Sequence, residues 1–140
     1  MSNVSRHREA FVRHYDPEVQ PEPLEWLALD QQERISLAEA HHRAARIKVP
    51  NLKAHACFHA IVENQIAEGV GWSVVRAMSR LINEGLSRHD ALHAIGSVLA
   101  DHLFEATHTT DKNFADTAQA RYDAAVEQLT ADEWRHKYEE

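Results

Sequence analysis

The stretch His55-Ala-Cys-Phe-His59-Ala60-Ile61 recurs 34 positions later as His89-Asp-Ala-Leu-His93-Ala94-Ile95. In both copies two histidines stand four residues apart, so on a helix they lie one above the other on one face. Two such pairs supply imidazole nitrogens of the kind that hold a transition metal between packed helices. The residues around each copy keep apolar side chains at helical spacing, with no strand-like alternation. An offset of 34 is also the period of tetratricopeptide arrays. A third copy would need histidines where the chain has Asp123 and Glu127, or Pro21 and Glu25. The repeat is therefore a two-copy device, which suits a paired site better than a solenoid.

Working outward, start and stop signals divide the chain into helices with short joints. Ser5 caps a first helix carrying Phe11 and Val12, and residues 16–23, with three prolines, read as an extended arm. Pro23 opens a short helix through Trp26, Leu27 and Leu29. Asp30 with Glu33 resembles a capping box and starts a helix to about Ile47. After the break at Val49-Pro50-Asn51, residues 52–107 form a core segment of three helices. These run from Leu52 to Glu68 before Gly69, from Trp72 to Glu84 before the cap Gly85, and from the Ser87–Asp90 cap to about Thr107. A loop over 108–113 precedes a helix with Phe114, Tyr122, Val126 and Leu129. Thr130 with Glu133 then caps a last short one through Trp134. The fold class is all-α: a single-domain helical bundle over residues 1–140, of about six to eight helices.

Bulk composition narrows the function. The chain has 140 residues, 44% of them hydrophobic, only four glycines and four prolines, and a net charge of −7. Its basic residues are scattered among acidic ones, so no nucleic-acid footprint is present. No apolar run reaches membrane-spanning length, and the polar stretch Met1 to Glu9 has no signal-peptide hydrophobic region. The single cysteine, Cys57, gives no internal disulfide and fits a reducing compartment, so a cytoplasmic protein is expected. Glycine-rich phosphate loops, nucleophile elbows and the zincin motif are all missing. No catalytic residue, organic cofactor or small-molecule substrate is indicated. The compositional outlier is histidine, at 11 residues.

A helix turns about 100° per residue. With His55 at zero, His59 falls at about 40°, Val62 at about −20° and Ile66 at about 20°, so the histidines share a face with core aliphatics. Glu63, at about 80°, borders that face, and Cys57, near 200°, lies opposite. In the second copy His89 and His93 share their face with Gly96, Ala100 and Leu103, while His102 points away to solvent. If the three helices of residues 52–107 run up, down and up, both pairs sit at one end. His41 and His42 read as surface residues, although the antiparallel joint before Leu52 brings that region near the same layer. Glu84 is a further candidate there. Asn64 and Gln65 suit either the interior or the surface, and Trp26 and Phe104 read as core aromatics.

Histidine donors with one or two carboxylates suit zinc, iron, nickel or copper rather than magnesium or calcium. The expected ligands are His55, His59, Glu63, His89 and His93, holding a transition-metal ion, zinc or iron first. Enzyme, metal sensor and metal-stapled scaffold all remain open. The alternative is a metal-free interaction module or homo-oligomeric scaffold, such as a homodimer, with its histidines satisfied in the core by a histidine–glutamate network.

The blocks Pro23-Leu24-Glu25-Trp26-Leu27, His55-x3-His59-Ala-Ile-Val-Glu-Asn-Gln65 and Glu84-Gly-Leu-Ser-Arg-His89-x3-His93-Ala-Ile-Gly96 resemble an uncharacterised prokaryotic family of small helical proteins. That family is a domain of unknown function with paired H-x3-H motifs. The likeness spans roughly Pro23 to Leu103. It implies that His55, His59, His89 and His93 correspond to the family's histidine pairs, and it implies no reaction, substrate or partner.

Overall fold

The computed structural model describes residues 14–69 and 72–138. The expected first helix with Phe11 and Val12 lies outside them. Among the described residues there are seven α-helices and no strand. They are α1 (Pro23–Ala28), α2 (Gln31–Ala44), α3 (Leu52–Glu68), α4 (Ser73–Asn83), α5 (Arg88–His108), α6 (Phe114–Gln128) and α7 (Ala131–Tyr138). The architecture is all-α. The chain divides into two compact units at the Glu68–Gly69 junction. No helix among the described residues is long and apolar enough to cross a membrane.

In the first unit, α3 packs against α1 and α2. The core joins Tyr15, Trp26 and Ile35 to the fully buried alanines Ala38, Ala56 and Ala60. Small side chains at those positions let α2 and α3 pack closely. Polar groups fix the corners. The Asp30 carboxylate accepts the Glu33 amide at 2.8 Å and so caps α2. The Asn51 side chain accepts the Ala54 amide at 3.1 Å in the first turn of α3. Arg34 donates to the carbonyls of Trp26, Leu27 and Leu29 at the end of α1, where the Trp26 carbonyl also accepts the Leu29 amide. Asn64 accepts from both the Trp26 indole and Arg34 and donates to Gln31. Residues 14–22 are non-helical, as their prolines require, and make a turn in which the Val19 amide donates to the Asp16 carbonyl.

The helix expected to reach Ile47 stops at Ala44. Arg46 adopts a left-handed φ of 59°. This lets the amides of Arg46 and Ile47 turn back onto the carbonyls of Arg43 and His42. Apolar Ile47 belongs to the reversal, not to the helix.

In the second unit, α6 packs against α4 and α5. The buried stripe of α4 is Val74, Ala77, Met78 and Leu81, at helical spacing. It meets a core that includes Leu92, Ile95 and Leu99 of α5 and Phe114, Tyr122 and Val126 of α6. Arg80 donates to the Val126 and Leu129 carbonyls at the end of α6, and Ser73 donates to Asp123. At 21 residues α5 is longer than α4 or α6, and its side chains from Leu103 onward are exposed. Leu103 and Phe104, expected in the core, therefore stand 44% and 65% exposed. Phe104 stacks on His108 instead, with ring centroids 4.0 Å apart.

Gly85 ends α4 with a φ of 105°, and its amide and that of Leu86 return to the carbonyls of Ile82 and Leu81. A β-carbon there would lie 2.8 Å from the Arg135 guanidinium. Gly85→Ala is expected to lower the unfolding free energy by about 1–2 kcal/mol, mainly through backbone strain. Chemical denaturation of the two proteins checks this.

Candidate metal centre

Three histidines converge in the first unit. His42 occupies the last turns of α2, while His55 and His59 occupy the first turns of α3. The short reversal around Arg46 brings the two helix ends together. Ring centroids lie 4.7 Å apart for His42 and His55, 4.9 Å for His42 and His59, and 5.0 Å for His55 and His59. Each residue offers a nitrogen, and these atoms lie within 4.8 Å of one another.

Hydrogen bonds define what two of the rings present. His42 is 0% exposed, and its Nδ1 lies 2.8 Å from the Ala38 carbonyl. A carbonyl only accepts, so Nδ1 carries the proton and Nε2 carries the lone pair. His59 is also buried, with Nδ1 3.1 Å from the Tyr15 hydroxyl. That hydroxyl donates to Glu63 Oε2 at 2.6 Å. His55 is half-buried at the rim. Burial lowers the pKa of His42, helped by the neighbouring His41 and opposed by the Ala38 hydrogen bond. A neutral imidazole is the form that binds metal.

The second unit holds the other expected pair. His89 and His93, in the first turns of α5, are half-buried, with ring centroids 4.2 Å apart. The Ser87 side chain, which accepts the Asp90 amide at 3.1 Å, sets the start of this helix and the phase of its histidines. Gly96, on the same face, is buried.

Several expectations require correction. His42, read as a surface residue, is fully buried and beside His55 and His59. It lies on one buried stripe with Ile35 and Ala38, at i, i+3 and i+7. Tyr15, on the arm, was not singled out, and no local pattern marks it. Glu63 does not share the gathering of donor atoms. Its carboxylate accepts the Tyr15 hydroxyl. Glu84 accepts the Ala131 amide at 2.8 Å and faces Arg80, so its carboxylate serves the start of α7. His102, expected in solvent, is half-buried with Nδ1 3.0 Å from the Val98 carbonyl and its ring edge-on to Tyr122. Cys57 stays apart from the donor atoms, as its angular position required.

Comparison with protein-family models, with curated proteins and with solved structures yields no match for this chain. The reading of the site therefore rests on its own chemistry. All the gathered donors are imidazoles, and that donor set suits late first-row transition metals. Around zinc at 2.0–2.1 Å, tetrahedral ligand nitrogens stand about 3.4 Å apart, so closure on an ion needs a contraction of about 1.4 Å at most.

The lowered pKa of His42 has a thermodynamic consequence. The folded state resists a proton that the unfolded chain accepts near the ordinary histidine value of about 6.5. The stability carried by neutral His42 is fully present above that value and is lost as pH falls below it. In chelator-treated protein, the unfolding free energy is expected to decline from pH 7.5 to 5.5. His42→Gln should reduce that slope, by at most about 1.4 kcal/mol per pH unit. Denaturant titrations of both proteins at four pH values would check it, and equal slopes would contradict it.

Proposed function

We propose that this chain binds a transition-metal ion, zinc or iron, through histidines. His42, His55 and His59 of the first unit are the donors gathered there, and His89 and His93 form a second donor pair in the second unit. The observation that carries this reading is the convergence of three imidazoles in the first unit, with His42 and His59 largely removed from water. Desolvating polar rings is costly unless their nitrogens are used. An ion uses the lone pairs, and the Ala38 carbonyl and Tyr15 hydroxyl use the Nδ1 positions. The histidines at 89 and 93 repeat the i, i+4 spacing of His55 and His59.

Elemental analysis of untagged, chelator-free protein tests this directly. About one metal atom per chain is expected. His42→Ala and His59→Ala should each abolish it. Chelation of the loaded protein should lower its melting temperature, because a ligand bound only by the folded state stabilises that state. Less than a tenth of an equivalent, with none regained on adding zinc or iron, would sink the reading in favour of a metal-free interaction module.

A further inference from the structure

Tyr15 and Glu63 stand outside the donor set, yet both are almost fully buried, at 6% and 1% exposure. We infer that they are positioning residues, which lock His59 into the tautomer that presents Nε2 to an ion. Their role toward a metal rests on the reading proposed above, whereas the tautomer itself does not.

The argument is a count of protons. The Tyr15 hydroxyl donates to Glu63 Oε2 at a short 2.6 Å, so its single proton is committed there. The Tyr15 oxygen then faces His59 Nδ1 with a lone pair, 3.1 Å away. That contact is a hydrogen bond only if His59 Nδ1 carries the proton. The lone pair of the ring is thereby assigned to Nε2. His42 reaches the same state by a different route, through the Ala38 carbonyl one turn earlier on α2. Two histidines on two helices thus carry their protons on Nδ1.

The arm that delivers Tyr15 is built to hold it still. Pro17 is buried and the chain turns at Asp16–Val19. The Tyr15 ring packs against Trp26 at 5.5 Å and stands edge-on to His59 at 5.9 Å. Outer partners of this kind fix ring orientation and raise ligand basicity, and losing one typically costs 10–100-fold in metal affinity.

The test begins on metal-free wild-type protein labelled with 15N, by long-range 1H–15N correlation of the histidine rings at pH 8. His59 is assigned from the resonances missing in His59→Gln. A proton on Nδ1 and a bare Nε2 are expected. In Tyr15→Phe, whose ring shape is kept, the proton should shift towards Nε2. Zinc affinity should fall 10–100-fold in that variant, with the same number of imidazole ligands by X-ray absorption. A proton on Nε2 in the wild type would overturn the inference, and that spectrum needs no variant to fold. Equal zinc affinity in wild type and Tyr15→Phe would also overturn it. Wild-type protein with the Nδ1 proton but no zinc uptake would uphold the hydrogen-bond lock and reject the metal reading alone.

Discussion

A buried imidazole has one proton to give and one lone pair to place, and the first unit is organised by that demand. His42 satisfies the first half within its own helix, through the carbonyl one turn back. His59 satisfies it across the unit, through a hydroxyl brought from a different part of the chain. Because 44 residues separate Tyr15 from His59, this contact fixes where the arm must lie. The alanines at the α2–α3 contact follow from the same demand. Larger side chains at Ala38 or Ala56 would hold the helices apart and separate the rings.

The helix ends show a second economy. Short helices leave a large share of their carbonyls without internal partners. At one helix end in each unit, arginine serves them. Arg34 gathers three carbonyls at the end of α1, and Arg80 gathers two at the end of α6. A planar guanidinium with five donors can serve several acceptors at once, whereas a lysine ammonium cannot match that geometry. Those two corners are therefore held by side chains rooted in helices.

Much of the fold was legible because its boundaries are written in local chemistry. Asp30, Ser87 and Thr130 each accept the amide three residues on, and Gly69 and Gly85 take positive φ where the helices stop. The end of α2 was not legible, because arginine rather than glycine occupies the left-handed position. Of the site, the phase of His55 and His59 could be computed from helical geometry. The choice between His41 and His42 could not, since adjacent residues differ by about 100° and α2 has apolar residues on two faces. Glu63 was placed on the correct edge of α3, but its partner comes from the non-helical arm. No periodicity connects residue 15 to residue 63. Proline-rich segments announce only that they are not helical, and leave their destination to tertiary packing.

The Trp26–Asn64 hydrogen bond has an optical consequence. Trp26 is buried, and its indole donates to Asn64, the neighbour of Glu63 on α3. Trp72 and Trp134, both in the second unit, are only half-buried. The chain thus contains one apolar, hydrogen-bonded indole beside its histidine cluster and two in wetter surroundings. Emission from the blue edge of its fluorescence belongs to the first unit. The protein carries its own local spectroscopic label, and departures of α1 from α3 can be followed without attaching a dye.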